Sequence, residues 1–98
     1  MLLFEWDTHK ARKNEETHGV SFDEASTAFR DTLSLTIRDP LHSDEEDRFI
    51  LIGNSGTNRL LVVVHTERGE NIRIITARKA TKKERKQYEK NVKRSKHA

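Results

Sequence analysis

The stretch that most constrains this chain is Leu60-Leu61-Val62-Val63-Val64, its longest purely aliphatic run. An apolar run without alternation, bounded by polar residues, is the signature of a strand buried on both faces. It falls far short of the ~20 apolar residues that cross a bilayer as a helix, so no transmembrane helix and no membrane partner are expected. The chain has 98 residues, 36% of them charged and 33% hydrophobic, which is enough for one thin core and too little for two. A single domain over residues 1–98 is therefore expected, with a basic tail from about residue 90 that should fray. The opening Met1-Leu2-Leu3-Phe4-Glu5-Trp6-Asp7 meets acid too early for a signal peptide. No cysteine is present, which excludes disulfides and thiolate metal sites; the expected setting is the cytoplasm.

The flanking patterns are shorter but readable. Phe4 and Trp6 alternate with Glu5 and Asp7, as in a short strand. Asp7 can cap a helix from about Thr8 to Thr17 that Gly19 ends. That helix is polar almost all round, so something beyond its own propensity must hold it. Ser21-Phe22-Asp23-Glu24 is a capping box, opening a second helix to about Arg30 with Phe22, Ala25, Ala28 and Phe29 as its apolar stripe. Leu33, Leu35 and Ile37 alternate with Ser34, Thr36 and Arg38, a strand with one wet face that Asp39-Pro40 stops. An acidic loop from His42 to Asp47 leads into the strand-like Phe49 to Ile52 and the turn Gly53-Asn54-Ser55-Gly56. After the central run, Arg68-Gly69-Glu70 turns the chain and Ile72 to Ala77 returns it. Successive strands with short turns predict an antiparallel meander. Thr81-Lys82-Lys83-Glu84 is a second capping box, opening a basic helix to about Lys96.

The fold class read from this order is α+β. An N-terminal short strand and two helices precede a four-stranded antiparallel meander and a C-terminal basic helix, with helices covering one face of the sheet. Leu33, Leu35, Phe49, Leu51, Leu61, Val63, Ile72 and Ile74 should be mostly buried, with Phe22 and Phe29 packed on the sheet.

Net charge is +3, unevenly spread. From Arg78 onward ten Lys/Arg stand against two Glu, net +8, whereas residues 1–77 carry net −5. A basic tail on an acidic body fits a polyanionic or acidic partner, and it fits a solvated helix end equally well.

Several short motifs recur in one order. They are Phe4-Glu5-Trp6-Asp7 with Lys10 and Asn14, then His18 to Ala25, then Asp39-Pro40 with His42-Ser43. Arg48 to Gly53, Leu60 to Arg68, and Ile72 to Thr81 with Glu84, Arg85 and Tyr88 complete the set. Over about residues 3 to 89 the chain resembles the BrnT family of ribonuclease toxins from bacterial toxin–antitoxin pairs. The resemblance implies a RelE/ParE-like fold, toxicity by endoribonuclease action on RNA, and neutralisation by a cognate antitoxin protein, with which the chain would form a hetero-oligomer. The other reading is a catalytically silent module that binds nucleic acid or protein, because no paired catalytic carboxylate and histidine are visible.

RNA cleaves through its own 2′-hydroxyl when a base, an acid and cations surround the phosphorane, with neither metal nor cofactor required. Arginine suits the cationic role because its fork matches phosphate and does not deprotonate. Arg78 leads the catalytic candidates. It ends the last strand close to the capping box, or else pairs with the acidic loop 44–47. Arg48 and Arg73 could project onto the wet sheet face or form cross-strand pairs. His65 could place an imidazole at the exit of the central strand, or be a histidine satisfied by hydrogen bonds. His42 sits among acids and is not favoured as catalytic. Lys10, Asn14 and His18 stand at i, i+4 and i+8 on one helix face. There they could bind phosphate and shuttle a proton, or Asn14 and His18 could satisfy backbone groups at the sheet edge. Lys79, Lys82, Lys83, Arg85 and Lys86 are the expected RNA-binding cations. His9 and His18 have the wrong spacing for a helical metal pair, and no metal site is visible.

Overall fold

A buried central strand needs partners on both edges and cover on both faces, and the computed structural model, which describes residues 2–41 and 46–97, supplies them. The elements run β1 (Leu3–Glu5), α1 (Thr8–His18), α2 (Phe22–Thr27), a 3₁₀ turn (Ala28–Arg30), β2 (Leu35–Arg38), β3 (Arg48–Asn54), β4 (Leu60–Arg68), β5 (Asn71–Lys79) and α3 (Lys82–His97). α3 thus matches the basic helix expected to about Lys96.

β2 to β5 form the expected antiparallel meander. The sheet nevertheless has five strands, in the order β1-β5-β4-β3-β2, because β1 pairs in parallel with β5. A four-stranded antiparallel sheet with a separate short strand is therefore corrected to a five-stranded mixed sheet. Nothing local in Leu3–Glu5 encodes a parallel partner almost seventy residues away, because parallel pairing depends on the crossover that α1 and α2 provide.

The cover of the sheet is also two-sided. Successive side chains of a strand point to opposite faces. Leu51, Leu61, Val63, Ile74 and Ala77 pack with Val20, Phe22, Ala25 and Ala28 from the α1–α2 segment. Ile52, Leu60 and Val62, which alternate with them, pack with Leu35, Ile50, Ala80 and Tyr88. The expectation that helices cover one face fails here, because α3 lies on the other. Two polar anchors hold it there. Tyr88 donates to Asp31 Oδ2 (2.7 Å) and Asn91 Nδ2 donates to the Leu33 carbonyl (3.3 Å).

Of the eight residues expected in the core, Leu51, Leu61, Val63 and Ile74 are buried, and Leu33, Leu35, Phe49 and Ile72 are partly so. Leu33 lies in a turn before β2, and its N–H bonds to Asp31 Oδ1 (2.9 Å). Ile37 is 50% exposed, since β2 is an edge strand and α3 anchors near its start. Gly53 lets β3 approach the 3₁₀ turn: a Cβ there would stand 3.0 Å from the Ala28 carbonyl and 3.1 Å from Ser34 Cβ.

Both N-caps read from the sequence are present at the first two helices. Asp7 Oδ1 accepts from Lys10 N–H (3.0 Å), and Ser21 Oγ accepts from Glu24 N–H (3.0 Å). Gly19, at φ 69°, closes α1. Glu24, however, does not return to the Ser21 backbone as the box requires. Its carboxylate takes Arg59, Ser55 and Thr57, clamping the β3–β4 turn onto α2. Arg59 and the two hydroxyls hold it down to about pH 2, far below a free glutamate. Among the described residues no helix is long and apolar enough to cross a membrane.

Candidate functional site

The polar helix α1 is held by one residue. Asn14 is buried, and its Nδ2 donates to the Val20 carbonyl (3.0 Å) and to the Ala77 carbonyl (2.9 Å), while its Oδ1 accepts from Ala77 N–H (3.2 Å). Its amide thus pairs with β5 as an adjacent strand would, at the edge that β1 is too short to cover. The stripe Lys10–Asn14–His18 divides accordingly: Asn14 is structural, and Lys10 and His18 are left exposed on either side. Between α1 and the β5 edge lies a groove of about 340 Å³, lined by Lys10, Lys13, Asn14, Thr17, His18, Ile75 and Thr76. It joins two ammonium groups, an open imidazole and two hydroxyls.

Across the strand from this groove, Arg78 lies beside the start of α3. It forms a two-pronged ion pair, Nη1 to Glu84 Oε1 (2.7 Å) and Nη2 to Glu84 Oε2 (2.8 Å). Glu84 also completes the capping box, accepting from Thr81 N–H (2.8 Å) while Thr81 Oγ1 accepts from Glu84 N–H (3.2 Å). The arginine pushes Glu84 down to about pH 2, so both partners stay charged at neutrality. The acidic loop is not its partner in the described residues. There Asp47 pairs with Arg38 (2.6 Å) and Glu46 with Arg68 (3.5 Å). His42, Asp44 and Glu45 lie outside the described residues. Lys79, Lys82, Lys83, Arg85 and Lys86 are all exposed around this end of α3.

His65 is placed differently from the expectation. It is 4% exposed, inside the α1–α2 face rather than at an open strand exit. Its ring centroid lies 4.8 Å from Phe29, edge-on, and 5.7 Å from Phe49, stacked. Among the described residues neither ring nitrogen has a hydrogen-bond partner, and burial pushes its pKa down to about 4. Such a ring is kept neutral and out of reach of a substrate.

Register unites the remaining arginines. Thr66 of β4 stands opposite Arg48 of β3 and Arg73 of β5, and Arg73 stands opposite Glu5 of β1. Directly opposed residues share a face, so Arg48, Thr66, Arg73 and Glu5 form one row on the α3 side of the sheet. Arg73 reaches Glu5 at 3.8 Å, the cross-strand pair foreseen for it. Arg78 shares the face, opposite Val62, and Thr76 lies between, opposite Val64. Lys13, Thr17, Thr66 and Thr76 escaped the sequence reading. Each needs the strand register or the docking of α1, and only Lys13 carries a charge that composition could have flagged. Among the described residues no group of three or more His, Asp or Glu side chains is arranged to hold a metal ion.

A family model described as ribonuclease toxin, BrnT, of type II toxin–antitoxin system matches residues 6–84. No curated protein sequence matches the chain. The crystal structure of the Brucella abortus ribonuclease toxin BrnT aligns with a TM-score of 0.60 at 21% identity, covering 84% of this chain and 99% of that one. At this identity the likeness speaks for the fold: three helices on a five-stranded mixed sheet, which differs in detail from a RelE-like plan of four antiparallel strands.

Proposed function

The chain belongs to the BrnT family of ribonuclease toxins of type II toxin–antitoxin systems, and from that premise we propose that it cleaves RNA through the RNA's own 2′-hydroxyl and is restrained by a cognate antitoxin. The observation that carries this reading is the groove beside the β5 edge, where Lys10, Lys13 and His18 meet the hydroxyls of Thr17 and Thr76.

In the reaction a base removes the 2′-hydroxyl proton, the 2′-oxygen attacks phosphorus, and the 5′-oxygen leaves with a proton, giving a 2′,3′-cyclic phosphate. Imidazole is the side chain suited to carrying protons near neutrality, and His18 presents one to the groove. Lys10 faces the same space and can balance charge on the phosphorane. Arg48 and Arg78, on the adjacent sheet face, are the further cations of the proposal, and the exposed Lys79, Lys82, Lys83, Arg85 and Lys86 attract the backbone beyond. All these charges are fixed on the protein, so the chemistry is proposed to proceed without a metal. An antitoxin need only cover this basic band to exclude substrate.

The test is cleavage of a defined RNA by purified protein in the presence of a chelator. Lys10→Ala should lower the rate at least about tenfold, and His18→Ala by about 10²–10⁴-fold, the range of a positioned proton carrier. Growth arrest on induction should be relieved by co-expressing the neighbouring antitoxin gene. Intact RNA with the wild-type protein would leave the silent binding module as the better account.

A further inference from the structure

Two polar side chains of this protein are buried without a hydrogen-bond partner among the described residues, and they are neighbours on β4: His65 and Thr66. Because a strand alternates, they face opposite ways. His65 enters the apolar core, where an unpartnered ring has an apolar account. Thr66, 0% exposed, has none, because its face carries arginines on both sides.

We infer that Arg48, Thr66 and Arg73 form a seat for one phosphodiester of an RNA strand, with the Thr66 hydroxyl as its floor. This deepens the proposed function, on which it rests for the identity of the anion. Strands lie about 4.8 Å apart, so two arginines flanking one residue have backbones roughly 10 Å apart across the sheet. Guanidinium forks converging from that span bracket an object the size of a phosphate and match its oxygens in pairs. Neither arginine is idle in the free protein. Arg48 makes an interaction of its own, and Arg73 holds Glu5 at 3.8 Å. That distance is long for an ion pair, and a phosphate oxygen offers Arg73 a closer partner. The Thr66 hydroxyl, without a hydrogen-bond partner among the described residues, can donate to the same phosphate once whatever covers it opens.

Position supports an RNA strand over an isolated anion. Arg78 lies opposite Val62, four residues along β4 from Thr66, roughly 13 Å at about 3.3 Å per residue. Two cationic points at that separation on one sheet face suit phosphates two nucleotides apart on an extended strand, not consecutive ones. Thr76, opposite Val64, lies between them and also lines the groove that holds Lys10 and His18. The seat would thus fix the strand while the scissile phosphate lies over the β5 edge.

The experiment uses a 2′-O-methyl RNA oligonucleotide, which the proposed chemistry cannot cleave, and reads binding to the full chain by fluorescence anisotropy across a salt series. Thr66→Val exchanges the hydroxyl for a methyl of similar size. It should weaken binding about tenfold, the order of one hydrogen bond to a charged group, while melting temperature stays level or rises because an unpaired buried hydroxyl is gone. Thr66→Ser should restore affinity. Arg73→Gln should reduce the slope of log K against log salt by about 0.7, one phosphate's worth for a single strand. Unchanged affinity in Thr66→Val, with Lys10→Ala still slowed on ordinary RNA, would overturn the seat and leave the proposed function standing. Inorganic phosphate that raises the melting temperature of wild type but not of Thr66→Val, in a protein with no RNA affinity, would support the seat and overturn the RNA reading.

Discussion

The two faces of the sheet are built from the same strands to different ends. The α1–α2 face holds the phenylalanines and the tryptophan: Phe4 against Phe29 (5.0 Å), Trp6 against Phe22 (6.0 Å), and His65 against Phe29 and Phe49. On the α3 face the helix covers Ile52, Leu60 and Val62, and the rest carries Arg48, Arg73, Arg78, Thr66 and Thr76. The contrast teaches that apolar and cationic surroundings separate by side-chain parity along a strand. His65 on one face lies against Phe29 and Phe49 with no hydrogen-bond partner among the described residues, and Thr66 one residue later stands in register between Arg48 and Arg73.

The largest expected effect tests the open face. Arg78→Ala should lower RNA cleavage by two to three decades, or roughly 3–4 kcal/mol of transition-state stabilisation, if Arg78 meets developing charge. Because Glu84 loses its two-pronged partner, melting temperature should fall as well, by an amount equivalent to about 1 kcal/mol for a partly exposed pair. Assaying rate and melting temperature on one preparation separates the two. A large thermal loss with unchanged specific activity would make the arginine a clamp on α3 alone.

The closed face is tested by acid. The folded pKa of His65, about 4, lies below its ordinary 6.5, so the unfolded chain takes up its proton first. Its neutral form therefore supports the fold fully above pH 6.5, and that support is lost as pH falls from 6.5 to 4, by up to about 3 kcal/mol. Glu24 and Glu84, depressed from 4.5 to about 2, contribute stability that is lost lower, between pH 4.5 and 2. Urea unfolding across pH should show the first decline vanish in His65→Leu, which should be the more stable protein at pH 5. A persisting slope would assign the decline to other groups.

Asn14 sets the boundary between the two faces, and Asn14→Leu should cost roughly 2–3 kcal/mol by leaving Ala77 and Val20 backbone groups unpaired. Faster amide exchange at Ala77 than in the centre of β4 would locate the loss at the β5 edge. The smallest effect on stability belongs to the helix cations. Reversing Lys82, Lys83, Arg85 and Lys86 should leave the melting temperature nearly unchanged, yet flatten the salt dependence of RNA binding. An unchanged slope would move the electrostatic contact to the open sheet face alone.

Much of this was legible in the residues. Leu60–Val64 declared the central strand, Asp7, Ser21 and Thr81 declared the helix starts, and Gly19 the end of α1. The ordered motifs pointed to the family. These signals are local or periodic: a cap works over one turn and an apolar alternation over one strand, so each can be read without knowing the fold. What pairs with what is not local. That β1 runs beside β5, that α3 crosses to the face opposite α1, that Glu84 and not the acidic loop takes Arg78, and that Thr66 lies between two arginines all depend on strand register and helix docking. Those are settled by the sum of weak contacts over the whole chain, each too small to leave a mark in its own few residues. The sequence alone determined the elements and the family of this protein; only the tertiary structure decided which of its polar groups are buried supports and which stand exposed at its surface.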